Sequence, residues 1–314
     1  MIKVLELFAG IGACSKALER LGIEHEIVDA VEIDKYAVKS FNAVHNTNFE
    51  PQDITEWDKD IDIDLIMHGS PCQDFSIAGK QAGGNKDSGT RSSLMYETIR
   101  IVKKLKPKYV IFENVKNLLS KKHKHNFDAY LEEMEQLGYT NHCQVLCALD
   151  YSMPQNRERV YVVSVLNDSA FEFPKKQELK LKLKDMLEAE VDEKYYLAND
   201  IVKTYTEVNE SGNVIGKLNM NKWQDRMKRI YNIETYAPAI TTMQGGYLEP
   251  KIKTDKGIRK ITPKECWRLM GFNDADFEKA EKVNSNSQLY KQAGNSIVVN
   301  VLEAILNNLL KEEV

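Results

Sequence analysis

From residue 3 to residue 165 the chain alternates short apolar runs with amphipathic stretches, and this rhythm limits the fold more than any composition value does. Residues 3–8, 26–31, 64–67, 109–112, 143–149 and 159–165 read as strands. Residues 14–21, 92–105 and 127–137 read as helices, the first ended by Gly22. Strands separated by helices require right-handed crossovers, so the sequence predicts an α/β fold with a doubly wound, mostly parallel sheet covered by helices.

After Asn167 the texture changes. Residues 170–260 carry short polar segments, a lysine-rich stretch at 175–184, turn signals at 210–213 and 244–246, and no strand–helix rhythm, which predicts a second, smaller domain. Near the end, Asn295-Ser296 is placed to cap a helix with an apolar stripe of Ile297, Val298, Val301, Leu302, Ile305 and Leu309, expected to return to the first domain.

A chain of 314 residues with 42% hydrophobic content can fill both cores. No apolar stretch approaches the roughly 20 residues that cross a bilayer, and Met1–Leu5 leads into a strand where a secreted protein carries its signal. The expected compartment is the cytoplasm. The five cysteines show neither a C-x-x-C nor a zinc spacing, so reduced thiols and no metal are expected, with Cys143 and Cys147 in the core.

Net charge is −4, yet residues 213–260 hold ten Lys and Arg against four Asp and Glu. That local excess of +6 leaves −10 for the remainder. It suits either a solvated face or a confined contact with nucleic acid.

Phe8-Ala9-Gly10-Ile11-Gly12 lies where the first strand turns into the first helix, and Glu32 follows Gly12 by twenty residues at the end of the second strand. Glycines there admit a ligand close to the backbone, and an acid at that spacing accepts from a ribose diol. Asp53 is expected to face the same open end of the sheet after a third strand. A G-x-G is also compatible with a plain tight turn. The third glycine of the dinucleotide fingerprint is missing and Phe8 is aromatic, which points to an adenosine-bearing ligand without phosphates and away from a nicotinamide dehydrogenase.

Cys72 stands behind Pro71, just past a strand end, on the side of an open α/β sheet where ligands bind. A loop cysteine can be incidental, but a thiolate is intrinsically a strong nucleophile. Glu113 ends another core strand, and Arg157 and Arg159 alternate at the start of the next, which predicts that both point to one face. A thiol, a carboxyl and guanidiniums at one edge suit addition of a nucleophile to an electron-poor ring.

The stretches F-A-G-I-G (8–12), G-S-P-C-Q (69–73), E-N-V (113–115), Q-N-R-E-R (155–159), R-K-I-T-P-K-E-C-W-R-L-M-G-F (259–272) and Q-A-G-N-S (292–296) together resemble the ordered motifs of DNA (cytosine-5)-methyltransferases of bacterial or phage type. The resemblance spans nearly the whole chain. It implies a Rossmann-like catalytic domain of residues 1–167 and 281–314 and a target-recognition domain of 168–280. It implies S-adenosylmethionine as cofactor, S-adenosylhomocysteine as product and no metal. By carry-over, Cys72 adds to carbon 6 of an extruded cytosine, Glu113 serves ring nitrogen 3, Arg159 donates to the exocyclic oxygen, and Arg157 supports this catalytic set.

Cofactor contacts carry over to Phe8, Ala9, Gly10, Ile11, Gly12, Glu32, Ile33, Asp53, Ile54, Pro71 and Leu94, with Asn295 and Ser296 at the methionine end. DNA contacts carry over to Gln73, Ser76, Arg91, Gln224 and Thr241. The glycine-rich stretch 73–91 resembles the family's loop that closes over DNA, and in Ala239-Ile240-Thr241-Thr242 a second threonine replaces the leucine of the family's Thr-Leu element. The implied partner is double-stranded DNA, with a cognate restriction endonuclease left open, no membrane, and a monomeric chain. A relative acting on RNA, and a DNA-binding relative without chemistry, are the alternatives.

Overall fold

The computed structural model describes residues 1–71, 94–167, 170–208, 212–243 and 247–311. Cys72, Gln73, Ser76 and Arg91, and the turn residues 210, 211 and 244–246, lie outside them. The chain divides into two compact units, one of Met1–Cys147, Glu158–Lys175 and Val301–Val314, the other of Ala148–Arg157 and Lys176–Asn300. Residues 148–157 and 281–300, grouped with the catalytic domain on sequence, fall in the second unit.

The elements of the first unit run β1 (Ile2–Leu7), α1 (Ala13–Leu21), β2 (His25–Val31), α2 (Lys35–His45), β3 (Leu65–His68), α3 (Met95–Leu105), β4 (Tyr109–Val115), α4 (Lys124–Gln136) and β5 (Tyr139–Cys147). β6 (Gln155–Asn156) belongs to the second unit, and β7 (Glu158–Leu166) returns to the first. The six strands order as β2-β1-β3-β4-β7-β5. β2, β1, β3 and β4 are mutually parallel, whereas β7 runs antiparallel to β4 and β5 antiparallel to β7. The sheet is therefore mixed through β7 alone: β5, antiparallel to β7, runs in the same direction as β1 to β4, so the expectation of a mostly parallel sheet misses only the reversed β7. The physical reason is the connection: β5 reaches β7 through a short return, which builds an antiparallel pair, while a parallel pair needs a crossover of a dozen residues or more.

Leu5, Leu7, Ile66, Val110, Phe112, Val160 and Val162 form the sheet's share of the core, packed with Ile99 and Val102 of α3 and Phe127, Tyr130 and Met134 of α4. Strands buried on both faces read as continuous apolar runs, which is why this part of the fold was legible. Cys14 and Cys266 are buried, but Cys143 is exposed and Cys147 half-buried, contrary to expectation. β5 is the last strand of the sheet, so its alternation does not divide core from solvent as it does in an inner strand.

The second unit contains α5 (Asn199–Val202), β8 (Tyr205–Glu207), β9 (Val214–Leu218), α6 (Asp225–Lys228), β10 (Arg229–Tyr231), β11 (Ala237–Pro238), β12 (Lys251–Thr254), β13 (Gly257–Lys260), α7 (Pro263–Leu269), α8 (Asp274–Glu281) and α9 (Asn286–Asn295). A five-stranded sheet ordered β13-β12-β10-β9-β8 buries Leu218, Ile230 and Ile258. Thr262 and Glu265 form a capping box on α7 with Pro263 in the first turn. Glu265 also takes a bidentate pair from Arg259, at 2.6 and 2.9 Å, so the stretch 259–272 serves the interior of this unit. The C-terminal helix α10 (Val299–Leu309) starts later than expected, because Asn295 is the last residue of α9 and Ser296 its C-cap. From Val301 onward the chain clusters with the first unit. Among the described residues no helix is long and apolar enough to cross a membrane.

His68 closes β3 wholly buried, stacked on Phe112 with ring centroids 4.7 Å apart, its Nε2 2.9 Å from the Tyr130 hydroxyl. Burial lowers its pKa from 6.5 to about 3, so the folded protein keeps it neutral where the unfolded chain takes up a proton. Its stabilising contribution is complete above pH 6.5 and is lost as pH falls towards 3. Glu6, buried with its pKa raised from 4.5 to about 7, acts in the opposite sense, stabilising at low pH and losing that effect as pH rises. Urea unfolding of wild type and His68→Gln at pH 7 and pH 5 is expected to narrow their stability gap by about 2 kcal/mol at the lower pH. An unchanged gap would contradict a neutral, buried imidazole.

Candidate active site

The parallel strands β1, β2, β3 and β4 deliver their carboxyl ends to one edge of the sheet, and the candidate residues of the first unit collect there. Phe8 leaves β1 with φ +54°, followed by Gly10 at +56° and Gly12 at +80°, so the chain turns through three left-handed residues before α1. The two glycines differ in purpose. A Cβ on Gly12 would collide with the His45 imidazole and the Phe41 ring of α2, so this glycine lets α1 and α2 approach. A Cβ on Gly10 would meet nothing closer than the Phe8 carbonyl at 4.0 Å, so the space beside it is open. Beneath the turn, Glu6 accepts from the Ser15 N–H at 3.0 Å and from the Ser15 hydroxyl, fixing the first turn of α1 to β1.

Glu32 follows β2 and ties the loop to that strand. Its Oε2 accepts from the Gly10 N–H at 3.0 Å and its Oε1 from the Asp34 N–H at 2.8 Å. Burial raises its pKa, partly offset by those donors. The Glu32 carbonyl takes the Gln52 N–H at 2.9 Å, which brings Asp53 and the buried Ile54 alongside. Asp53 Oδ1 accepts from Thr55 N and Oγ1 at 2.9 and 2.8 Å and so shapes its own turn. Contrary to expectation, the third strand, Leu65–His68, follows Asp53. Ile33 stands 68% exposed at this edge. A carboxylate braced by backbone donors, an open glycine and exposed apolar surface match a ribosyl-adenine ligand. Leu94 lies at the N-terminus of α3, partly buried against the core.

Glu113, 8% exposed, lies near the carboxyl end of β4, and its Oε1 lies 3.0 Å from Arg159 Nε, with side chains 11% and 18% accessible. The antiparallel course of β7 creates this pair: Val115 registers with Arg159, whereas a parallel β7 would carry Arg159 to the opposite edge. Asn114, 1% exposed, donates from Nδ2 to the Ser70 carbonyl and hydroxyl, both at 3.2 Å. It anchors the residue before Pro71, and sequence reasoning gave it no role although it stands inside the quoted E-N-V. Cys72 itself lies outside the described residues.

Arg157 and Arg159 have different partners and fall in different units. Arg157 interrupts the strands, between β6 and β7, and within the second unit donates to the carbonyls of Ile240, Gly294 and Ser296 at 2.7, 3.1 and 2.8 Å. Asn295 is exposed and Ser296 buried; Gln224 stands at the N-cap position of α6 without a side-chain capping bond, and Thr241 is exposed. The basic segment 213–260 is less basic at its surface than its composition. Lys251 and Arg259 are 1% and 2% exposed, and Lys217 and Arg229 both pair with Asp225.

Residues 2–311 match the family model described as C-5 cytosine-specific DNA methylase. The chain is 36% identical to the type II methyltransferase M2.ScrFI of Lactococcus lactis subsp. cremoris, covering 100% of both chains. It is 37% identical to the type II methyltransferase M.HhaI of Haemophilus parahaemolyticus, over 98% of this chain and 94% of that one. Among solved structures, the S. pombe Dnmt2 methyltransferase superposes with a TM-score of 0.76 at 22% identity, covering 100% of this chain and 99% of the other, a likeness of fold.

Proposed function

Since the chain belongs to the C-5 cytosine-specific DNA methylase family, we propose that its sheet edge methylates carbon 5 of a cytosine extruded from a specific site in duplex DNA, through a covalent bond to Cys72. The observation that carries the reading is the pair of buried Glu113 and half-buried Arg159 near the carboxyl end of β4, 3.0 Å apart. Carbon 5 of neutral cytosine is a poor nucleophile. Addition of the Cys72 thiolate to carbon 6 pushes an electron pair towards ring nitrogen 3 and carbon 5. Glu113 hydrogen-bonds or protonates nitrogen 3, so charge does not accumulate on the ring. Arg159 holds the Glu113 carboxylate in place and offers its remaining N–H groups to the exocyclic oxygen. Carbon 5, made nucleophilic by the addition, takes the methyl group as that group's bond to its donor breaks; loss of the carbon 5 proton to water or a base and elimination of the Cys72 thiolate then restore the aromatic ring.

Enzymes of this family use S-adenosylmethionine, which supplies the electrophilic methyl group when bound. On this chain Glu32 would take the ribose hydroxyls, Phe8 and Ile33 the faces of the adenine, and Asp53 with Ile54 its edge. Ala9 to Gly12, Pro71 and Leu94 would complete the cofactor site from the first unit, and Asn295 and Ser296 would serve the methionine end. Extrusion of the base costs a few kcal/mol, repaid by contacts to DNA. We assign those contacts to Gln73, Ser76, Arg91, Gln224 and Thr241, and base selection to residues within 168–280.

Incubation with labelled S-adenosylmethionine and either genomic DNA or tRNA tests the reading. Label is expected in DNA, at cytosines that resist bisulfite conversion at one recurring sequence. Label confined to tRNA would overturn duplex DNA as the substrate.

A further inference from the structure

The second unit binds a short segment of itself by its backbone. β11 lies parallel to β6, with Ala237 opposite Gln155 and Pro238 opposite Asn156. Beyond the strand the grip continues through side chains. Gln155, fully buried, accepts from the Ile240 N–H through Oε1 at 2.9 Å, while its Nε2 donates to the Leu269 carbonyl at 2.8 Å. Arg157, 4% exposed, donates to the Ile240 carbonyl at 2.7 Å and to the carbonyls of Gly294 and Ser296. Both backbone groups of Ile240 are thus held by Q-x-R. On the far side, a Cβ on Gly294 would fall inside contact distance of the Thr241 carbonyl and the Thr242 nitrogen, so backbone packs on backbone there.

We propose that Gln155, Arg157 and Gly294 form a clasp that sets the position of Thr241 and Thr242 against Asn295 and Ser296, making all three positioning residues for DNA engagement. The inference rests on the reading of Thr241 as a DNA contact. It gives a physical reason for arginine at position 157, since three carbonyls from two separate segments need the planar fork of a guanidinium and a lysine ammonium cannot span them. It also gives a reason for glycine at 294, which lies within α9 without positive φ and so is not required by backbone conformation. If the contact is crowded, the irregular segment 239–243 yields before the hydrogen-bonded helix does.

Gly294→Ala is the test. A forced shift of about 1 Å at Thr241 is expected to lower kcat/KM for duplex DNA by about 100-fold, with the affinity for S-adenosylhomocysteine unchanged. A folded variant with wild-type kcat/KM, or one losing cofactor affinity in proportion, would overturn the clasp. Amide hydrogen exchange on the unsubstituted protein without DNA provides a second arm that needs neither a variant nor activity. The Ile240 N–H is expected to exchange more slowly than those of Thr241 and Thr242, and equal rates would refute the clasp. That arm separates the two ideas, because absence of methyl transfer to DNA would leave the exchange result standing, and rapid exchange would leave the methyltransferase reading intact.

Discussion

Glu113→Gln is expected to lower kcat and kcat/KM for DNA by the same factor, about 10²–10⁴, with KM for S-adenosylmethionine unchanged. Glutamine keeps the shape and one acceptor oxygen, so Arg159 retains a partner for its Nε at the site where it now lies 3.0 Å from the carboxylate. What glutamine cannot do is neutralise a ring nitrogen that gains electrons as the thiolate adds. Loss confined to the chemical step separates this role from a structural one. Truncation to alanine would strand a largely buried guanidinium, and removing one partner of such a pair costs about 3–5 kcal/mol, so it would confound catalysis with folding. Single-turnover methylation with saturating DNA is the measurement; an equal rate for Glu113→Gln and wild type would remove Glu113 from the mechanism.

Cys72→Ala is expected to have the larger effect, lowering methyl transfer by at least about 10⁴-fold. No other described cysteine can substitute: Cys14 and Cys266 are buried with their thiol pKa raised well above the ordinary value by burial, while Cys143 and Cys147 lie at the outer strand of the sheet. DNA binding is expected to survive, since the contacts to the duplex do not involve the thiol. A Cys72→Ala protein that retained turnover would exclude covalent activation of the ring.

The strands of the first unit were legible because buried parallel strands appear as uninterrupted apolar runs, and Glu32 and Glu113 because each ends such a run. The direction of β7 was not legible, since periodicity carries no sign. Yet that direction places Arg159 beside Glu113. Arg157 illustrates a related limit: alternation with Arg159 predicts a shared face only if one strand continues through both, and the strand is interrupted at Arg157. Cys143 read as core because edge and interior strands share one alternating pattern. Lys251 and Arg259 counted as surface charge in the sequence but are enclosed, Lys251 by the carbonyls of Tyr247 and Glu249 at 2.7 and 3.0 Å and Arg259 by Glu265. Asn114, Gln155 and Gly294 act through backbone groups far away in sequence, and no local pattern records such partners.

The most direct test of a covalent mechanism is a trap. The protein, S-adenosylmethionine and duplex DNA bearing 5-fluorocytosine are incubated together, then denatured and separated by electrophoresis. Carbon 5 that carries fluorine has no proton to lose, so the adduct formed through Cys72 cannot be released. The expected result is a DNA–protein complex that withstands denaturation with wild type and is absent with Cys72→Ala. A complex that persists in Cys72→Ala, or none at all from a preparation that methylates ordinary DNA, would contradict the mechanism.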